Sequence, residues 1–162
     1  MVATIMNALA LRDIFESKGV ATRCLSNIFA DQVAEAYSYR RATKHLESGR
    51  VIIVAGGIGR PYFTHDTAAV NVALELNCQI MLKATKVDGV FTKDPNKHSD
   101  ARKIAHLSFQ EAVENPNVAV MDKAALGLAM EQHMPILVFD AMRSGNISKV
   151  IQGKAVGTSI GD

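Results

Sequence analysis

The chain predicts an open α/β sandwich built on a mainly parallel sheet, and three observations carry that prediction. Helical and apolar segments alternate along all 162 residues. The runs Val51-Ile-Ile-Val-Ala and Ile136-Leu-Val-Phe are continuously apolar, as strands are when both faces of a parallel sheet are covered. Between them, Val54-Ala-Gly-Gly-Ile-Gly-Arg-Pro-Tyr-Phe-Thr-His-Asp-Thr67 follows a strand and opens a helix. That is where open sheets bind ligands, beyond the carboxyl ends of their strands.

The elements follow in order. Residues 4–17 read as a helix, with Ile5, Ala8 and Leu9 at helical spacing, Leu11, Ile14 and Phe15 on a neighbouring stripe, and Gly19 as the stop. A strand is predicted over 20–25, one or two helices over 31–46, and a strand over 50–55 after Gly49. The glycine-rich loop feeds a mostly buried helix over 66–77, in which Ala69, Val72, Ala73 and Leu76 line one face and Val70 and Leu74 widen it. Then come a strand over 79–85, a turn at Asp88-Gly89, and a polar loop over 93–102 with its corner at Asp94-Pro95. Helices are predicted over 108–114 and 122–132, a strand over 135–140, a helical turn or two over 146–151, and a last strand over 157–160. Domains of this type usually begin with a strand that becomes central, whereas Met1 leads at once into a helix without a convincing cap. The expectation is a chain lacking its natural first strand; the alternative is a domain that starts on a helix.

Composition narrows the function classes. With 48% hydrophobic and 21% charged residues, residues 1–162 are expected to form one domain with its own core. The net charge of +2 comes from interspersed residues, so no basic face points to nucleic acid. Cys24 and Cys78 form no Cys-x-x-Cys pair, the five histidines form no zinc pattern, and both cysteines are expected to be small buried hydrophobes in a reducing compartment. No apolar run is long enough for a membrane span and no signal peptide is evident, so a cytoplasmic location without membrane partners is expected.

Three segments carry groups suited to chemistry. In the first, Gly56, Gly57 and Gly59 permit backbone angles that turn successive N–H groups toward an anion, and the following helix adds its positive end. Arg60 is placed for a charge-assisted contact to phosphate, and Tyr62 or Phe63 for a wall against a base. The spacing is neither the Gly-x-Gly-x-x-Gly of dinucleotide folds nor a P-loop, and a plain strand-to-helix connection with Asp66 as an ordinary N-cap fits the same residues. The second segment is Lys83-Ala-Thr-Lys-Val-Asp-Gly-Val-Phe-Thr-Lys-Asp-Pro95. Thr85 is suited to hydrogen-bond a purine edge, Phe91 to stack on it and Asp94 to accept from ribose hydroxyls or the base amino group; a solvated surface hairpin is the plainer reading. The third, Val118-Ala-Val-Met-Asp122-Lys-Ala-Ala, is another apolar run meeting an acidic helix start. Asp122 is either an N-cap or, if it converges with Asp66, half of a carboxylate pair that orients lysines or holds a metal through water.

Taken together, Ala55-Gly-Gly-Ile-Gly-Arg-Pro-Tyr-Phe-Thr-His-Asp66, Leu82-Lys-Ala-Thr-Lys-Val-Asp-Gly-Val-Phe-Thr-Lys-Asp-Pro95 and Val120-Met-Asp-Lys-Ala-Ala125 resemble the bacterial uridylate kinases of the amino-acid-kinase superfamily. Met1-Val-Ala-Thr-Ile-Met-Asn-Ala-Leu-Ala-Leu extends the resemblance to the start of the chain. It implies a three-layer α/β sandwich and phosphoryl transfer from Mg-ATP to UMP, giving UDP and ADP in pyrimidine nucleotide biosynthesis. It further implies a cytoplasmic homohexamer under nucleotide regulation, with Mg2+ entering with ATP and no resident metal. By resemblance, Ile58, Gly59, Arg60, Pro61, Tyr62, Phe63, Thr64 and His65 bind UMP, while Thr85, Phe91 and Asp94 bind ATP. Asp66 is implied to organise catalytic lysines, and Asp122 to lie close to the transferring phosphate.

The departures are specific. Ile58, Arg60 and His65 stand where the family commonly has Thr, Asn and Thr, and the family's N-terminal Lys-x-Ser-Gly-Glu strand and second glycine loop have no counterpart, which leaves the activity of this chain by itself open. Two other readings stay open: a superfamily kinase of the aspartate or glutamate type, and a non-catalytic nucleotide-binding module. Tyr62-Phe63 and Lys83-Ala-Thr-Lys resemble the nucleotide-acceptor branch. A sheet without a central strand would present an open edge and apolar surface, so the isolated chain is expected to self-associate. Light scattering measures this, and a stable monomer would contradict the missing-strand reading.

Overall fold

Fifteen helices and strands follow one another in the computed structural model, which describes residues 1–95, 97–115 and 121–162. In chain order they are α1 (Val2–Ser17), β1 (Thr22–Ser26), β2 (Glu35–Ala36), α2 (Tyr39–Glu47), β3 (Val51–Ala55), α3 (His65–Glu75), β4 (Met81–Thr85), β5 (Val90–Phe91), β6 (Lys103–Ile104), β7 (His106–Leu107), α4 (Phe109–Glu114), α5 (Lys123–Glu131), β8 (Ile136–Asp140), α6 (Asn146–Ile151) and β9 (Thr158–Ile160). The fold is α/β with mainly parallel sheets, as the alternating pattern predicts. The chain divides into two compact units, Met1–Ala68 and Ala69–Asp162.

In the first unit three parallel strands run in the order β2-β1-β3, and the register places Ser26 beside Ala55. Ile5 and Ala8 of α1 bury themselves against Cys24, Ala34 and Ala55, with Leu9, Ile28 and Ile53 at the margin. The expected second stripe does not pack in the same way, since Leu11 and Ile14 are exposed, as are Val2 and Met6. Residues 31–38 also differ from expectation. Instead of helix they hold a turn and β2, and α2 begins only at Tyr39, where the Ser38 side chain accepts from the Arg41 N–H. Asp31 is as good a cap as Ser38 by residue type, but residues 35–36 are drawn into pairing with β1, which leaves Ser38 as the first capping residue free to start a helix.

A buried histidine ties α2 to its strands. His45 Nδ1 lies 3.0 Å from an Arg50 guanidinium nitrogen and Nε2 lies 3.1 Å from Glu35 Oε2. An arginine can only donate, so Nδ1 accepts, and the neutral ring carries its proton on Nε2 and donates to the carboxylate.

The second unit holds a four-stranded sheet, β4-β8-β9-β7, in which β8 and β9 are antiparallel and the other neighbours parallel, and a small antiparallel hairpin of β5 and β6. The short strands β6 and β7 were not anticipated; at two residues each they are too brief to leave a periodic signal. The core is formed by Val70 and Ala73 of α3 with Phe109, Ala125, Leu126, Ala129, Ile136, Val138 and Ile160, most of them fully buried. On α3 the buried face turns out to be Ala68, Val70 and Ala73, whereas Ala69 is exposed. Cys24 is buried, where loss of hydration pushes its thiol pKa up; Cys78, expected inside, is exposed. Among the described residues no helix is long and apolar enough to cross a membrane.

Helix α4 starts with a reciprocal cap. Ser108 Oγ accepts from the Glu111 N–H at 3.2 Å while Glu111 Oε2 accepts from the Ser108 N–H at 2.8 Å and from its hydroxyl at 2.8 Å. These bonds favour the charged carboxylate and lower the Glu111 pKa from its ordinary 4.5. A lowered folded pKa adds stability above the unfolded value and loses it as pH falls through the folded one. Protection of the α4 amides, taken as exchange relative to the unstructured-chain rate at each pH, is therefore expected to fall as pH drops below the ordinary glutamate range. In Glu111→Gln, whose amide keeps the accepting oxygen, that dependence should vanish; an unchanged pH profile would contradict the assignment.

Candidate functional site

The glycine-rich loop begins where β3 ends. Gly56, Gly57, Gly59 and Tyr62 all take positive φ, between 60° and 84°, so the chain turns back on itself within seven residues. Gly59 has a second reason to be glycine, because a Cβ there would lie 2.5 Å from the Asn27 carbonyl oxygen. The loop is anchored by residues that sequence reading passed over. Thr4 Oγ1 accepts from the Gly56 N–H at 2.9 Å, and the Asn27 side chain donates to the Gly57 carbonyl. Asn27 leaves no local signal in the sequence; only the register that sets Ser26 beside Ala55 brings the residue after Ser26 to the loop.

This anchoring decides which amides can meet a ligand. Gly56 N–H is taken by Thr4, and Gly59 N–H donates to Gly56 O at 3.0 Å. The amides of Gly57, Ile58 and Arg60 have no acceptor among the described residues. Not all the loop glycines therefore offer donors as expected; some are there to shape the turn. Arg60, Pro61, Tyr62, Phe63, Thr64 and His65 are exposed, Tyr62 completely, and Ile58 is half-buried.

Asp66 is not the N-cap that its position suggested. Thr64 holds that role, its hydroxyl oxygen accepting from the Asp66 N–H at 3.1 Å and the Thr67 N–H at 3.4 Å. Asp66 lies in the first turn of α3, half-buried, where the helix dipole favours negative charge.

The second segment is a surface hairpin with function-capable groups. Thr85 ends β4 with its hydroxyl donating to Val87 O at 2.8 Å and accepting from Val87 N–H at 3.0 Å. With its proton committed, Thr85 can offer a ligand only an acceptor lone pair. Phe91 is half-buried in β5, opposite Lys103. Asp94 is exposed, 3.7 Å from Lys97 Nζ, and its carbonyl accepts from the Lys97 and His98 N–H groups. Lys93 pairs with Asp100 at 2.6 Å and Lys103 with Asp88 at 3.0 Å.

In the third segment, Val118, Ala119 and Val120 lie outside the described residues, Met121 is buried, and Asp122 is the N-cap of α5. Its Oδ1 accepts from the Ala125 N–H at 2.8 Å. Asp66 belongs to the first unit and Asp122 to the second. Among the described residues no three His, Cys, Asp or Glu side chains gather into a metal cage. A small hard cation that keeps its waters and binds through substrate phosphates needs only one or two carboxylates from the protein.

Comparisons with known proteins agree on a family. A model of the amino acid kinase family matches residues 1–140. The UMP kinase from Bacillus anthracis is similar over 99% of this chain, with 38% identity and a TM-score of 0.95, and this chain spans 66% of that protein's length. The UMP kinase from Ureaplasma parvum is 34% identical, with a TM-score of 0.93, over 100% of this chain and 69% of its own. The uridylate kinase from Archaeoglobus fulgidus is 29% identical over 77% of this chain and 58% of its own, with a TM-score of 0.62.

Capping and chemistry at Asp122 are separable. Asp122→Ala is expected to destabilise the chain by about 1 kcal/mol, whereas Asp122→Asn, an equally good cap, should change stability by only ~0.3 kcal/mol. Denaturant titration reads the difference, and equal losses in both variants would mean that the carboxylate charge itself supports the fold.

Proposed function

The chain belongs to the amino acid kinase family, and from that premise we propose that it is part of a UMP kinase, transferring a phosphoryl group from Mg-ATP to UMP to give UDP and ADP in pyrimidine nucleotide biosynthesis. The observation that carries this reading is the anchored loop between β3 and α3. It offers unpaired amides at Gly57, Ile58 and Arg60, one guanidinium and two exposed aromatic rings within seven residues. The likeness to UMP kinases from two bacteria supports it further.

The chemistry asks little of a general base. The phosphate of UMP has a second pKa near about 6 and is largely ionised at neutral pH. One of its oxygens forms the new bond to the γ-phosphorus while the bond from that phosphorus to the β-bridging oxygen breaks, and ADP leaves with the electron pair. The work lies in bringing two anions together and in holding the charge that spreads in the transition state.

In this reading Ile58, Gly59, Arg60, Pro61, Tyr62, Phe63, Thr64 and His65 hold UMP, with Arg60 on its phosphate. Thr85, as an acceptor, meets the adenine amino group, Phe91 stacks on the base and Asp94 takes ribose hydroxyls. Asp66 and Asp122 act as positioners, because a carboxylate beside two phosphates is useful for orienting cations rather than for taking a proton. Mg2+ enters on the ATP phosphates and neutralises part of their charge. Assembly as a homohexamer in the cytoplasm, with nucleotide regulation, belongs to the same proposal.

The test combines turnover and binding with UMP, CMP, aspartate and glutamate as acceptors. Selective UMP binding is expected, and where UMP is turned over Asp122→Asn should lower kcat by about 10²-fold or more. Arg60→Ala should weaken UMP binding by roughly tenfold through loss of a charge-assisted bond. Turnover of an amino acid without UMP would overturn the proposal in favour of an aspartate- or glutamate-type kinase. UMP binding without turnover in any coupled assay would favour a nucleotide-binding module.

A further inference from the structure

A cavity of about 350 Å³ in the second unit, outside all the residues considered above for nucleotide binding, is lined by Asp88, Lys103, Arg143, Asn146, Lys149 and Lys154. These come from four places in the chain: the turn before β5, strand β6, the β8–α6 connection with α6 itself, and the α6–β9 connection. Lys103 is already matched by Asp88 at 3.0 Å. Arg143, Lys149 and Lys154 have no ion-pair partner among the described residues, so three positive charges face one cavity uncompensated. Like charges gathered this way repel, and a bound anion reverses the sign of that cost.

The frame behind the charges is stiff. Gly157 takes φ +76°, and a Cβ on it would fall 2.0 Å from the Val138 carbonyl oxygen, so the segment carrying Lys154 runs hard against β8. Gly89, next to Asp88, takes φ +112° with Thr158 Oγ1 only 2.5 Å from where its Cβ would be. Asn146 is buried, and its side chain donates to Asp140 O at 2.9 Å, which fixes the start of α6. Lys154 and the start of α6 are thus carried on backbone that these contacts hold in place.

We propose that this cavity is a binding site for a compact anion carrying two linked phosphoryl groups. Three unmatched cations suit a diphosphate of high charge better than a single carboxylate. No aromatic side chain lines the cavity, so nothing in it selects a base, and its volume lies at the small end of ligand pockets. The site does not depend on the phosphoryl-transfer reading, because occupancy is measured without turnover and none of the residues assigned to UMP or ATP lines it.

The experiment titrates inorganic pyrophosphate into the chain by calorimetry, with amide chemical shifts recorded in parallel. Saturable binding is expected, with shifts concentrated over residues 143–157 and affinity falling as salt rises. Arg143→Gln, Lys149→Gln and Lys154→Gln should each weaken binding by about tenfold, while Lys18→Gln, on the first unit, should not. Thermal melts of these exposed-site variants establish that they remain folded. Binding that survives in all three variants, shifts confined to residues outside 143–157, or equal affinity for sulfate would each overturn the proposal. ADP identifies the source of the diphosphate: displacement of pyrophosphate with the same dependence on Lys154 supports a nucleotide tail, and failure to displace it supports free diphosphate.

Discussion

Thr158 is the residue on which the β5–β6 side of the second unit depends. It is fully buried at the start of β9, and its hydroxyl accepts from the Val90 N–H at 2.8 Å and donates to the Ile104 carbonyl. One side chain therefore ties the central sheet to both strands of the β5–β6 hairpin. Gly89 and Gly157 close around it where no Cβ would fit. A buried hydroxyl with both roles satisfied is stable where it is and costly to move, since any shift strands a donor or an acceptor. The positions of Phe91, Asp94, Asp88 and Lys154 are all set by chain that leaves this junction.

The first unit solves the same problem with different groups. There the loop after β3 is held by Thr4 and Asn27, one reaching from α1 and the other following β1. Four residues with positive φ turn the chain sharply, and two of the glycine amides are consumed in doing so. What remains for an anion is a short run of unpaired N–H groups beside Arg60. Pre-set donors of this kind need no reorganisation when charge develops, which is the electrostatic economy that phosphoryl transfer relies on.

Aspartates at helix starts illustrate how a cap and a chemical group are told apart. Asp66 and Asp122 occupy similar places in sequence, each just before a helical pattern. The folded chain gives the capping bond to Thr64 in one case and to Asp122 itself in the other. In both, a carboxylate sits in the first turn or at the cap of a helix.

The sequence by itself determined the alternation of strands and helices, because continuous apolar runs bounded by Gly and Asp are local signals that need no knowledge of neighbours. It also located the three chemistry-bearing segments, since glycine spacing and turn dipeptides are written into adjacent residues. Only the tertiary structure decided what those residues face. It assigned the cap to Thr64 rather than Asp66, left Leu11 and Ile14 of α1 exposed, and turned residues 35–36 into a strand by pairing them with β1. It committed the Thr85 proton to Val87 and gathered Lys103, Arg143, Lys149 and Lys154 around one cavity. Those outcomes depend on contacts across many residues of chain, and a hydroxyl or an ammonium carries no mark in the sequence of which distant partner it will meet.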